Sequence, residues 1–103
     1  MGTRRVLENE KVIVSELVLE PGESTGKHRH ELDYVVYVID GATLRATDGN
    51  GEDATDVTLS AGDTFHFQIR GDRAISGELE TTAVHNAENV STATYREIMV
   101  ELK

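Results

Sequence analysis

The sequence has no cysteine and no long apolar run among its 103 residues. Without cysteine there is no disulfide, no thiolate nucleophile and no cysteine-ligated zinc site. Any bound metal must therefore be held by His, Asp or Glu side chains. None of the apolar runs approaches the roughly 18 residues that a membrane-spanning helix needs, so we expect a soluble protein.

Basic residues are also scarce, with 10 Lys and Arg against 19 Asp and Glu and a formal net charge of -9. An acidic chain repels phosphate backbones and anionic lipid, because nucleic-acid binding depends on basic patches that displace counterions. We therefore expect neither nucleic acid nor a membrane as a partner. Arg4 and Arg5 form a basic pair with no apolar stretch behind it. This N-terminus does not resemble a secretory signal, and we expect a cytoplasmic location.

The length suggests one ordinary domain, and we expect residues 1–103 to form it. Short runs rich in β-branched and aromatic residues alternate with turn signals, which predicts an all-β barrel or sandwich. The predicted strands are residues 12–19, 34–39, 42–47, 57–59, 64–69 and 95–102.

Turn signals separate these runs, beginning with Pro21-Gly22 after the first strand. Residues 48–53 have the acidic character of a calcium loop, but they lack its Gly at position six and its Glu at position twelve. We interpret them as a turn. Residues 70–82 are polar and are predicted to form a long loop or a short, solvent-facing hairpin. Residues 83–91 show weak helical and weak strand character alike.

Two histidines, His28 and His30, flank Arg29 just before the apolar run at 34–39. In a strand, residues two apart point to the same face with Cα atoms about 6.5–7 Å apart, so one metal ion could bind both imidazoles. On a helix the two side chains would diverge. The alternative is a pair of ordinary surface histidines. A buried location would disfavour that alternative, because unpartnered imidazoles are costly to bury.

The segment from Gly22 to Gly41 resembles the first conserved motif of the cupins, G-x5-H-x-H-x3-E-x6-G. Gly22, His28, His30 and Gly41 all stand at the spacing of that motif. Tyr34 occupies the position at which most metal-binding cupins have a glutamate ligand. The resemblance implies a double-stranded β-helix, or jelly-roll, barrel of two packed antiparallel sheets.

The second cupin motif is similar to a stretch that begins at Gly62 and ends on His85 and Asn89, with extra residues between them. The chain also resembles the small cupins of the β-alanine degradation protein BauB-like group. The similar segments are Pro-Gly, Thr-Gly, His-x-His and Asp-Tyr-Val-Val, together with the terminal strand at 98–102.

By this resemblance, His28, His30 and His85 are the ligands of one divalent transition metal, which could be Zn, Ni, Fe or Mn. Tyr34 shares strand parity with His28 and His30, so its side chain should enter the same cavity. There its hydroxyl could donate a hydrogen bond to a bound water or substrate oxygen, or the ring could simply pack in the core. Without a carboxylate ligand the site carries a charge of about +2, which suits an anionic small molecule.

Other polar residues are weaker candidates for the site. His66 lies between two phenylalanines and is expected to face outward if they face the core. Glu78 and Glu80 could supply a fourth ligand from the extra segment. Asp33 alternates away from Tyr34 and should lie on the opposite face.

Three functions are compatible with the sequence. The chain could be a metal-dependent enzyme of dioxygenase, isomerase or decarboxylase type acting on a small carboxylate or carbonyl compound. It could be a non-catalytic metal or metabolite-binding module, or a structural cupin without metal. We also expect a homodimer, with residues 94–102 as the pairing strand, because an apolar edge invites pairing.

Overall fold

The computed structural model describes residues 2–48, 50, 52, 54–77 and 79–103. These residues contain no helix, and so none that could cross a membrane. Their strands are β1 Gly2–Glu8, β2 Val12–Leu19, β3 His28–Arg29, β4 Tyr34–Asp40, β5 Ala42–Thr47, β6 Thr55–Leu59, β7 Thr64–Arg70, β8 Arg73–Ser76, β9 Leu79–Thr82, β10 Val84–Asn89 and β11 Tyr95–Leu102.

The strands form two antiparallel sheets. The larger has the order β1-β2-β11-β4-β7-β8-β9, and the smaller has the order β3-β10-β5-β6. Neighbours in the sheets are often distant in sequence, as in the pairing of β11 with both β2 and β4. The predicted all-β jelly-roll barrel is confirmed.

The core follows from the period-two alternation of the strands. On β4, Tyr34, Val36 and Val38 are buried, while Tyr37 between them is 49% exposed. The fully buried side chains of Leu19, Val38 and Tyr95 meet in the cluster that joins the sheets. Apolar burial of this kind contributes about 25 cal/mol per Å² and is the main force holding the barrel together.

The six predicted strands are all present. Those at 12–19, 42–47 and 95–102 have the predicted bounds, and the other three are longer by one or two residues at one end. The sequence analysis missed β1. The extended segment that the His-x-His spacing indicated at 28–30 contains β3. Residues 83–91, which favoured neither helix nor strand, contain β10.

The extra segment at 70–82 forms a hairpin, β8 and β9, that continues the edge of the larger sheet next to β7. The expectation that this hairpin faces solvent is wrong for one face. Ala74 is fully buried, and Leu79 and Thr81 line the internal cavity. The extra residues of the second motif therefore form part of the barrel wall.

The expectation that residues 94–102 form a free pairing edge is also wrong. β11 is a central strand whose residues pair with β2 on one side and with β4 on the other. Its backbone donors and acceptors are already used within the chain. The edge strands of this sheet are β1 and β9 instead.

Turns keep the strands in register. Gly22 adopts a φ of 85° in the turn after β2, a conformation that favours glycine. Gly41 is needed for another reason, since a Cβ at this position would collide with the backbone carbonyl of Leu59.

The Asp48 carboxylate accepts hydrogen bonds from the backbone amides of Asn50 and Glu52, at 2.8 and 3.0 Å. This supports a turn at 48–53, although Gly49, Gly51 and Asp53 of the predicted turn lie outside the described residues.

Candidate metal centre

β3 and β10 bring the three histidines together from distant parts of the sequence. His28 on β3 is directly opposite His85 on β10 in an antiparallel pair. His30 follows β3, and its amide donates a hydrogen bond to the Ala83 carbonyl at 2.9 Å, which extends the pairing. The segment is therefore extended, as a His-x-His chelate requires, and His28 and His30 share a face.

The imidazole Nε2 atoms converge on one point. The His30 Nε2 lies 3.0 Å from the His28 Nε2 and 3.2 Å from the His85 Nε2. All three potential ligand atoms lie within 4.8 Å of one another. His30 is only 8% exposed, so the group is in the wall of the barrel and not on its outer surface.

The backbone fixes the tautomer of two of these rings. The Nδ1 atom of His28 lies 2.9 Å from the Gly26 carbonyl oxygen, and the Nδ1 atom of His85 lies 2.8 Å from the Thr82 carbonyl oxygen. A carbonyl only accepts, so each Nδ1 must carry the proton and donate it. Each Nε2 then presents its lone pair to the centre of the group, as metal-ligating histidines do.

Burial favours the neutral form of the His30 and His85 rings. It lowers the pKa of His30 to about 3, with further contributions from the neighbouring His85 and His28 rings. Burial also lowers the pKa of His85, although the Thr82 carbonyl opposes this effect. Neutral imidazole is the form that binds a metal ion, so these two ligands need not lose a proton at neutral pH.

The donor set fits a divalent transition metal. Metal–imidazole bonds of about 2.0–2.1 Å hold two ligand nitrogens roughly 2.9–3.4 Å apart, and the observed separations of 3.0 and 3.2 Å fall in this range. Without a cation, a proton on the His30 Nε2 can be donated to the lone pair of His28 or His85, whereas a cation would accept the lone pairs of all three rings. Three imidazoles without a thiolate or carboxylate suit Zn, Ni, Fe or Mn.

Tyr34 lies directly beside the group. Its ring stacks on the His30 imidazole, with centroids 4.2 Å apart, and on its other side lies Phe67, at 5.1 Å. Burial raises the pKa of the Tyr34 phenol, and the carboxylates of Glu97 and Glu101 raise it further. The hydroxyl is therefore protonated and can donate a hydrogen bond. Its predicted role toward a bound ligand stays a prediction.

A cavity of about 350 Å³ opens beside the histidines and extends into the barrel. Its walls are mostly apolar, with side chains from both sheets and from the β8–β9 hairpin. This size and character are typical of small-molecule sites. The apolar residues that line it are Leu17, Val36, Leu44, Ala46, Val57, Leu59, Phe65, Phe67, Leu79, Ala87 and Met99.

The cavity also contains a carboxyl group that the sequence analysis missed. Glu97 on β11 is 8% exposed, and its Oε1 accepts a hydrogen bond of 2.7 Å from the buried Tyr95 hydroxyl. Burial raises the pKa of Glu97, while the Tyr95 hydrogen bond opposes this. The signal in the sequence was a glutamate two residues after a tyrosine on a terminal strand that also contains four apolar residues, Ile98, Met99, Val100 and Leu102.

The remaining candidates lie away from the histidines. His66 is exposed while the flanking Phe65 and Phe67 line the cavity, as the alternation predicts. Glu80 is also exposed and lies 3.3 Å from Arg73 in a surface ion pair. The Asp33 carboxylate accepts a hydrogen bond from the Ile69 amide and does not line the cavity. Glu78 lies outside the described residues.

The last residue of the second motif is structural. Asn89 is fully buried, and its Nδ2 donates hydrogen bonds to the carbonyls of Leu19 and Ala93, at 2.9 and 2.7 Å. Its Oδ1 accepts hydrogen bonds from the amide and hydroxyl of Ser91. Asn89 thus ties the end of β10 to β2 and fixes the strand that carries His85.

Solved structures share this architecture. A cupin domain from Bordetella pertussis is 25% identical, with a TM-score of 0.77 over 99% of this chain and 92% of the other. A double-stranded β-helix protein from Klebsiella pneumoniae is 22% identical, with a TM-score of 0.63 over 97% and 76%. A polyketide cyclase from Streptomyces resistomycificus is 16% identical, with a TM-score of 0.62 over 97% and 63%.

A search of curated protein sequences gave no match. The family model described as a cupin domain matches residues 15–100, which include both strands of the histidine group and the whole cavity wall except Thr3. With the jelly-roll topology and the three converging histidines, this match shows that the chain belongs to the cupin domain family.

Proposed function

We propose that this cupin binds one divalent transition metal through His28, His30 and His85. The observation that carries the proposal is the convergence of their Nε2 atoms at 3.0 and 3.2 Å, with the Nδ1 atoms of His28 and His85 held by backbone carbonyls. A ligand group arranged in this way needs little reorganisation to accept an ion, so a high affinity is expected.

We further propose that the site takes a small, anionic carboxylate or carbonyl compound. Three neutral imidazoles leave the full charge of the metal uncompensated, which favours an oxygen ligand that carries negative charge. A bound metal would act as a Lewis acid on such an oxygen. The apolar cavity would exclude water and hold the ligand body, and the protonated Tyr34 hydroxyl would donate a hydrogen bond to it.

Catalysis and simple binding are both compatible with this site. The titratable Glu97 in the same cavity favours an enzyme, because proton transfer needs such a group. The tyrosine in place of a carboxylate ligand favours a non-catalytic metabolite-binding module. Similarity to the BauB-like small cupins suggests organic acids and amino acids as the first compounds to test.

The test starts from protein purified without an affinity tag. Metal analysis should find about one ion per chain, and a chelator should remove it. A panel of small carboxylates and carbonyl compounds is then assayed for turnover and for binding, with and without metal. Metal-dependent turnover would establish an enzyme, and metal-dependent binding alone would establish a binding module. Protein that takes up no metal would refute the proposal.

We also propose that residues 1–103 act as one cupin domain and that the chain forms a homodimer. The structural support for the dimer is the outer strand β1, on which Val6 and Leu7 are 52% and 50% exposed. An unpaired strand edge with exposed apolar residues favours association with a second copy.

A further inference from the structure

The cavity has two polar ends. The three histidines and Tyr34 form one end, and Tyr95 with Glu97 forms a second group in the same wall. The other polar side chains among the described lining residues are hydroxyl-bearing, and they are Thr3, Ser15, Thr25 and Thr81. A molecule bound in the cavity therefore meets a carboxyl group in addition to the histidines.

The strand register separates the two ends. Glu97 is opposite Val38 on β4, whereas Tyr34, which stacks on His30, lies four residues earlier on β4. At about 3.3 Å per residue, this offset places the two backbone positions roughly 13 Å apart along the strand. The side chains at both ends line the cavity, so the distance between the two polar groups is shorter than the distance between the two backbone positions. A small molecule several bonds long could contact both.

The Glu97 carboxyl is held by only one of its oxygens. Oε1 accepts the hydrogen bond from Tyr95, and no described residue donates a hydrogen bond to Oε2. A carboxyl group buried in an apolar wall is unfavourable unless its oxygens find partners. If packing alone decided which residue stands at position 97, an apolar residue would be expected there, like Met99 two positions further along β11. Tyr95 orients the carboxyl and leaves Oε2 available to the cavity.

We propose that Glu97 is a ligand-recognition residue that accepts a hydrogen bond from a hydroxyl or amino group at the far end of the bound molecule. The ligand class is then a small carboxylate or carbonyl compound with an apolar body and a terminal hydrogen-bond donor. The part of this inference that concerns the carboxylate end rests on the proposed function. The part that concerns Glu97 rests on the cavity alone.

The test compares matched probes that differ only at the far end. 6-Aminohexanoate, 6-hydroxyhexanoate and heptanoate are titrated into the protein by calorimetry, both metal-free and loaded with Zn²⁺. A longer set, 8-aminooctanoate, 8-hydroxyoctanoate and nonanoate, extends the range of probe lengths. Wild type is compared with Glu97→Leu, which removes the acceptor, and with Glu97→Gln, which keeps the shape and the acceptor but not the charge. Glu10→Gln is the control, because Glu10 is exposed and does not line the cavity.

We expect wild type and Glu10→Gln to prefer a donor-bearing probe over its methyl analogue by about tenfold or more, the usual effect of a hydrogen bond to a charged group. Glu97→Leu should abolish this preference. Glu97→Gln should keep the preference for the hydroxyl probe and lose most of it for the amino probe. Circular dichroism spectra and unfolding transitions show whether the variants are folded.

The two proposals fail in different ways. If Zn²⁺ does not bind, the metal proposal fails, while a donor preference in the metal-free protein that depends on Glu97 would still support this inference. If Zn²⁺ binds and wild type shows no donor preference, or if Glu97→Leu keeps the preference, the inference is overturned. It is also overturned if none of the probes binds.

Discussion

The Tyr34 ring stacks on the His30 imidazole with a centroid distance of 4.2 Å and an angle of 22° between the ring planes. Tyr34 thus supports the His30 ring by contact, and its hydroxyl can serve a separate role. These two contributions can be separated by substitution.

Tyr34→Phe should keep the stack and lose the hydroxyl. We expect metal affinity to change less than about threefold, and the affinity for a carboxylate ligand to fall by roughly three- to tenfold, the usual effect of a neutral hydrogen bond. Calorimetric titration of metal and ligand measures both. Tyr37→Phe, an exposed tyrosine on the same strand, is the matched control. Equal ligand affinities for wild type and Tyr34→Phe would assign Tyr34 to packing alone.

The buried Glu97 should make the folding stability of the chain depend on pH. Because burial raises its pKa in the folded state, the folded chain binds more protons than the unfolded chain above the pKa of an ordinary glutamate. The stabilising contribution is therefore fully present at low pH and is lost as pH rises through the folded-state pKa. Glu97→Gln removes this loss.

Urea unfolding of wild type and Glu97→Gln, measured in steps from pH 5 to pH 8, tests this expectation. The variant should gain stability relative to wild type as pH rises, and using the difference cancels the contribution of the histidines. Glu10→Gln again serves as the control. A difference in free energy of unfolding that does not change with pH would show that Glu97 titrates normally.

Substitution of the buried Asn89 is expected to lower the stability of the fold strongly. Asn89→Ala leaves the Leu19 carbonyl without its donor and releases Ser91. We expect it to lower the free energy of unfolding by about 2–4 kcal/mol, because several buried hydrogen bonds are lost at once. The exposed Asn50→Ala should cost less than about 0.5 kcal/mol. Chemical denaturation measures both, and similar costs would contradict the structural role of Asn89.

We expect two copies of the chain to associate through the edge strand β1. Val6→Lys with Leu7→Lys should weaken a homodimer by at least tenfold, because charges on an edge strand oppose pairing. Sedimentation over a range of concentrations measures the change, with Ile39→Lys as a control at another partly exposed apolar residue. A dimer that resists the double substitution uses a different surface, and a wild-type monomer refutes the dimer.

Much of the fold could be predicted because its strands alternate clearly. The run that became β4 has buried Tyr34, Val36 and Val38 at a period of two, and the His-x-His spacing has meaning only on such a strand. The first motif therefore located two of the three histidines and Tyr34. His85 was found through the family motif, since its strand, β10, lacks a run of β-branched residues.

Other features could not be read from local pattern. Residues 3–8 of β1 are exposed, and the pairing of β1 with β2 carries no hydrophobic signal. On β11 the apolar Ile98 and Val100 alternate with Glu97. Hydrophobicity alone therefore predicts that Ile98 and Val100 face the interior and that Glu97 faces outward, which is wrong for Glu97. The inward position of Glu97 depends on the cavity, which leaves room for a polar group.

The most direct test of the central claim is a titration of metal-free protein with Co²⁺, followed by its visible absorption. Wild type should bind one ion per chain, with a spectrum typical of imidazole ligands. His30→Gln and His85→Gln should lose at least about a hundredfold in affinity, because loss of a ligand costs more than the roughly 10- to 100-fold that loss of a ligand's hydrogen-bond partner costs. His66→Gln, at the exposed histidine, should titrate like wild type. Equal binding by all four proteins, or no binding by wild type, would contradict a metal centre at His28, His30 and His85.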